Sequence, residues 1–262
     1  MRSMASRAWT RDELRLALNL YCKIPFGQLH HTNPEIVALA KNLSRTPSSV
    51  SMKLCNFASF DPSLKARNIK GLGNASRLDE EIWNEFNSNW EKAAYESQQK
   101  LVQLEGEAAL PPEDNLTDED LVRLTGRTTE ATTKTRVRLV QSFFRRTVLV
   151  SYKSRCSFCG IALPQLLIAS HIIPWKDSIE RRADPRNGIC LCALHDKAFD
   201  KGFLSVGEES EILVSPMVKM ADAPELHRVG LIQIEGRRVM PPYRFAPDPV
   251  AFQYHRGNVF RR

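Results

Sequence analysis

Four of the six cysteines in this 262-residue chain fall in one stretch, running from Cys156 to Gly202. Cys156 and Cys159 stand in C-x-x-C spacing. In a chain with no secretory segment, such a pair grips a metal or does redox work more often than it forms a disulfide. Cys190, Cys192 and His195 supply the other half. A tetrahedral zinc would take Cys156 and Cys159 from one knuckle, and Cys192 and His195, spaced in the same way, from the other. Cys190 competes for a place, because residues i and i+2 of a strand share a face. The alternative leaves four reduced cysteines as small apolar core residues.

His171 sits between these clusters. It closes an apolar run, Leu166 to Ala169, that reads as a buried strand, and Pro174 marks where the chain leaves that strand. Asn187-Gly188 reads as a turn, Ile189 to Cys192 as a second strand, and the residues after it as a helix. On that helix Asp196 and Asp200, four apart, share one face.

Strand, turn, strand and helix carrying His, Asn and His in that order resemble the HNH, or ββα-metal, nucleases, and within them bacterial proteins of predicted restriction-endonuclease type. The matching phrases are Ala169-Ser170-His171-Ile172-Ile173-Pro174-Trp175, Asn187-Gly188-Ile189-Cys190-Leu191 and Ala193 to Gly202, with Gln141-Ser142-Phe143-Phe144-Arg145 upstream and Tyr254 to Phe260 downstream. The resemblance implies hydrolysis of a DNA phosphodiester with one divalent cation, Mg²⁺ or Mn²⁺. His171 would be the general base, since a neutral imidazole suits that role near pH 7. Asn187 would hold the loop or the imidazole. His195, Asp196 or both would carry the cation. Ser170 departs from the pattern, for many relatives have an acidic residue or second histidine there. Water or Asp200 would then complete the cation's shell. His195 stays open between two duties: fourth zinc ligand, with Asp196 left to the cation, or cation ligand, with Cys190 completing the zinc.

These residues need elements to position them. The length suggests two domains, each able to bury a core, and 42% hydrophobic with 26% charged residues is ordinary for a globular protein. Without an apolar run of membrane-spanning length or a signal-peptide core, the expectation is a cytoplasmic protein. Net charge is +7. Residues 1–100 carry 14 Lys and Arg against 10 Asp and Glu, residues 101–130 carry 2 against 8, and residues 131–262 carry 21 against 12. Two basic blocks around an acidic connector suit a polyanion, here double-stranded DNA.

In the first block, Thr10 to Glu13 is a capping box ahead of an apolar face of Leu14, Ala17, Leu18 and Tyr21. Asn33-Pro34 and Thr46-Pro47 each start a helix. On the second, Val50, Leu54 and Phe57 form the core stripe, leaving Ser49, Lys53 and Asn56 on other faces. The pair resembles a helix-turn-helix that reads DNA through those three residues. Leu78, Ile82, Phe86 and Trp90 mark a third amphipathic helix. Residues 134–155 read as a basic helix whose Arg145 and Arg146 would clamp phosphates. Strands are expected at 203–206, 211–214 and 231–234. His255 and Arg256 would either touch DNA or pack.

The fold class expected is α+β: a helical, helix-turn-helix-like domain (1–100), an acidic linker (101–133), and a ββα-metal HNH domain with a zinc knuckle (134–262). The function expected is a metal-dependent DNA endonuclease of a restriction system, with the first domain supplying sequence or base-modification preference. Cutting both strands with one site per chain favours a homodimer. The alternative is a zinc-stapled DNA-binding regulator lacking nuclease activity, for which Ser170 is the argument. An effector nuclease switched by a partner is a third reading, but no sensor domain is legible.

Overall fold

The computed structural model describes residues 7–106 and 130–262, which fall into two compact units, one of residues up to 140 and one of residues from 141. The expected acidic connector lies mainly outside the described residues. Its first part, 101–105, continues a helix, and residues 130–133 begin another. Among the described residues no helix is long and apolar enough to cross a membrane.

The first unit is helical: α1 (Arg11–Lys23), α2 (Pro34–Asn42), α3 (Pro47–Ala58), α4 (Pro62–Lys65), α5 (Arg77–Ser88), α6 (Trp90–Glu105) and the first half of α7 (Glu130–Ser151). The starts follow the local chemistry. Thr10 caps α1 in a capping box with Glu13, Asn33 and Thr46 cap α2 and α3 ahead of a proline, and Ser76 caps α5 with Asp79. Trp90 does not continue α5, because Asn89 breaks the helix at φ −152° and itself caps α6. Tyr21, Phe57 and Phe86 are fully buried.

Two of the three expected DNA-reading residues turn inward. Asp79 is fully buried at the start of α5, and a buried carboxylate needs a cation. Lys53 supplies it, with Nζ 2.9 Å from both carboxylate oxygens. Asn56 is buried beside it, and its Nδ2 donates to the Asn74 carbonyl. Ser49 remains partly exposed in the first turn of α3.

The second unit holds the rest of α7, the antiparallel pair β1 (Leu167–His171) and β2 (Gly188–Cys192), α8 (Ala193–Asp200), a second pair β3 (Leu204–Val206) and β4 (Ile212–Val214), and α9 (Pro249–Asn258). In the first pair Leu167 faces Cys192 and His171 faces Gly188. Gly188 is not a turn residue. It is extended, at φ −121°, and a Cβ there would lie 2.4 Å from Val148 Cγ2 and 2.9 Å from Phe144 Cζ. The missing side chain is what lets α7 rest on the sheet. Residues 231–234 form no strand; Arg228–Ile232 is a π-helical turn.

Candidate metal centre and catalytic residues

The knuckle begins where the chain leaves α7. The Cys156 N–H donates to the Ile161 carbonyl and the Gly160 N–H to the Cys156 carbonyl, with Gly160 at φ +79°, a conformation suited to glycine. Cys192 ends β2 and His195 lies in the first turn of α8. The four ligand atoms of Cys156, Cys159, Cys192 and His195 all lie within 4.8 Å of one another.

A tetrahedral zinc separates its sulfurs by about 3.8 Å and a sulfur from an imidazole nitrogen by about 3.6 Å. Here Cys159 and Cys192 sulfurs are 3.9 Å apart, and His195 Nδ1 is 3.4 Å from Cys156 Sγ and 3.2 Å from Cys192 Sγ. The donor set therefore fits zinc. The far nitrogen, Nε2, lies 2.8 Å from the Gly230 carbonyl, and since a carbonyl only accepts, Nε2 carries the proton and Nδ1 the lone pair. His195 thus turns Nδ1 to the cysteine sulfurs and Nε2 to the Gly230 carbonyl, the arrangement expected if its duty is to zinc.

Electrostatics favours a cation too. A hydrogen bond from the Cys192 thiol, outweighing burial, and backbone N–H groups of Cys159, Cys192 and Phe158 favour a thiolate at Cys156. Burial pushes Cys159 up, and the bond to Cys156 together with burial pushes Cys192 up to about 11. One negative sulfur is tolerated and a second is resisted, so a divalent cation is what would allow all three to ionise.

Cys190 does not join. It sits mid-strand opposite Ala169, fully buried, and burial first and the nearby Cys156 second push its thiol up to about 12. It shares a strand face with Cys192 and belongs to the same core as Phe144, Val148 and Tyr152, but its sulfur is not among the clustered ligand atoms.

His171 ends β1, half-buried. Its ring stacks on Phe144 at 3.8 Å with 10° between planes, and Trp175 meets it edge-on at 5.4 Å. Nε2 lies 3.0 Å from the Arg182 carbonyl, so in the neutral ring the proton is on Nε2 and the basic lone pair on Nδ1. The Arg182 guanidinium stands 4.8 Å above the Trp175 ring, and its Nε donates to the Trp175 carbonyl. Asn187 is buried and holds the intervening loop, not the imidazole: Oδ1 accepts from the Ile173 N–H at 2.8 Å, and Nδ2 donates to the carbonyls of Ile173 and Arg181.

Asp196 is half-buried and Asp200 exposed on α8, which packs against both strands. Ser170 is buried, and its Oγ has no hydrogen-bond partner among the described residues. Asp196 and Asp200 lie four residues apart on the helix that adjoins this strand. Arg145 is half-buried near Cys190 and Arg146 exposed. His255 is buried in packing, and Arg256 bonds the Val206 carbonyl. Two elements of the site lacked any sequence signal: the carbonyls of Arg182 and Gly230, because backbone acceptors are identical at every residue.

Residues 156–207 match a family model described as HNH endonuclease. No curated protein matches the chain.

Proposed function

From the match of residues 156–207 to a family model described as HNH endonuclease, we propose that this chain hydrolyses phosphodiester bonds of double-stranded DNA as a restriction-type defence nuclease. The observation that carries the reading is His171, held between Phe144 and Trp175 with its proton directed to the Arg182 carbonyl. That arrangement leaves Nδ1 as the basic atom.

In the proposed reaction His171 Nδ1 takes a proton from water. The water oxygen bonds to phosphorus, the bond to the departing sugar oxygen breaks, and that oxygen gains a proton from solvent. Asp196, Asp200 and the Ser170 hydroxyl would hold the cation. A bound divalent ion supplies polarisation of the phosphate and neutralisation of charge on the departing oxygen. Asn187 keeps the loop that presents the Arg182 carbonyl. Zinc, on Cys156, Cys159, Cys192 and His195, is structural in this scheme. Arg145 and Arg146 contact phosphates, and the first unit supplies preference for a sequence or modified base through the outer side of α3, where Ser49 lies. Two chains act together to cut both strands.

A second reading, a DNA-binding regulator without hydrolysis, draws on one observation. Among the described residues the Cys3His cluster is the only group of three or more His, Cys, Asp or Glu placed to share an ion. The deciding experiment is incubation of unmodified and cytosine-modified plasmid with Mg²⁺ or Mn²⁺, using wild type and His171→Ala. Cation-dependent cutting absent from the mutant is the expected outcome. Tight binding by a zinc-loaded protein that cuts neither DNA favours the regulator.

A further inference from the structure

Beyond the matched segment, one element touches both sides of the proposed site. Asp248 caps α9, its Oδ1 accepting from the Val250 N–H at 3.0 Å. Its other oxygen lies 2.8 Å from Arg181 Nη1, and its own N–H donates to the Arg186 carbonyl at 2.9 Å. Both arginines belong to the loop between β1 and β2, and Arg181 precedes the residue whose carbonyl holds His171. Tyr254, further along α9, interacts with Asp177 of the same loop.

The far end of α9 grips α8. The His255 ring stacks on Phe199 at 3.7 Å, its Nε2 donates to the Phe199 carbonyl, and its Nδ1 accepts from the Ser205 hydroxyl. Past the helix, the Arg261 N–H donates to the Gly202 carbonyl, and a Cβ on Gly202 would lie 2.0 Å from the Val259 oxygen. Phe199 adjoins Asp200 and follows Asp196 by three residues. One helix therefore reaches from the loop behind the base to the helix bearing the carboxylates.

We propose that Asp248 is a positioning residue for the hydrolysis: through Arg181 it keeps the Arg182 carbonyl on His171, and α9 thereby sets the base relative to the carboxylates of α8. This rests on the hydrolase reading above. The Asp248–Arg181 pair is 29% exposed on each side, and such pairs add little to stability. A shift of about 1 Å at a reacting group, however, lowers a rate by about 100-fold. The two magnitudes separate positioning from folding.

The experiment uses full-length Asp248→Asn, Asp248→Ala and Asp248→Glu with plasmid DNA and Mn²⁺, and reads kcat and KM separately beside zinc content and urea midpoint. We expect kcat to fall at least about tenfold in Asp248→Asn, which keeps the helix cap, with KM, zinc and midpoint near wild type; Asp248→Ala should show the same fall in kcat together with a lower midpoint from the lost cap, and Asp248→Glu should stay within about threefold of wild-type kcat. Wild-type kcat in Asp248→Asn, or a loss that follows zinc or folding, overturns the proposal. If wild type itself cuts no DNA, the hydrolase reading fails separately. Hydrogen exchange at the Ile172 and Ile173 amides then tests the tether: acceleration of about tenfold in Asp248→Asn supports it, and unchanged exchange overturns it.

Discussion

At the scale of single residues, spacing marked the cluster of Cys156, Cys159, Cys192 and His195, and Cys190 lies outside it. Cys156, Cys159, Cys192 and His195 were legible because C-x-x-C and C-x-x-H fix reach along the chain. Cys190 was not resolvable from sequence, since the two-residue rule for strands gives a face and says nothing of how far under α7 a side chain lies. Cys192→Ser should therefore lose the zinc, whereas Cys190→Ala should keep about one zinc per chain, as elemental analysis of the purified protein would show. His255 gives a pH prediction. Burial, with Arg256 adding to it against the pull of the Phe199 carbonyl, holds the imidazole down at about 4. An exposed histidine titrates near 6.5, so the unfolded chain binds the proton first as pH falls. The stabilisation is complete above about 6.5 and is lost progressively down to about 4, a span of about 3 kcal/mol. Urea midpoints measured from pH 7.5 to 4.5 should fall less steeply in His255→Gln.

At the scale of elements, caps and apolar stripes were readable, and the exceptions have physical causes. Lys53 looked like an outward cation because helical periodicity does not reveal a buried acid on another helix. Its partner Asp79 is fully buried, so Lys53→Met should destabilise the first unit by about 3 to 5 kcal/mol. DNA affinity per folded molecule should stay unchanged, and Lys53→Met/Asp79→Asn should recover part of the stability; chemical denaturation with a parallel binding titration checks both. Gly188 misled in the opposite direction, for glycine after asparagine suggests a turn, whereas here it makes room for Val148 and Phe144. Gly188→Ala should cost about 1 to 3 kcal/mol and loosen the contact of α7 with His171. Unchanged unfolding and unchanged His171 ring shifts in NMR would refute that account. The π-helical turn at Arg228–Ile232 had no legible marker, and its Gly230 carbonyl meets His195 through a tertiary contact.

At the scale of the whole molecule, a helical first unit and a mixed second one were legible in the sequence, while the two basic blocks supply the expectation of a polyanionic partner. Charge counts do not say which cations are engaged: Arg181, Arg186 and Lys53 are each paired with an aspartate. Arg146 is exposed in the upstream phrase. If it contacts a phosphate, Arg146→Gln should reduce the slope of log affinity against log salt by about one, with little dependence on DNA sequence. A slope equal to wild type would remove Arg146 from the interface.

The position of α9 in the chain also carries a consequence for biosynthesis. A ribosome makes the knuckle, the ββα unit and its carboxylates before it makes Asp248, His255 or the backbone that closes over Gly202. A nascent chain would thus carry every proposed catalytic group while lacking the tether behind the base. Translation order would add the tether last, after every group that the proposed hydrolysis uses.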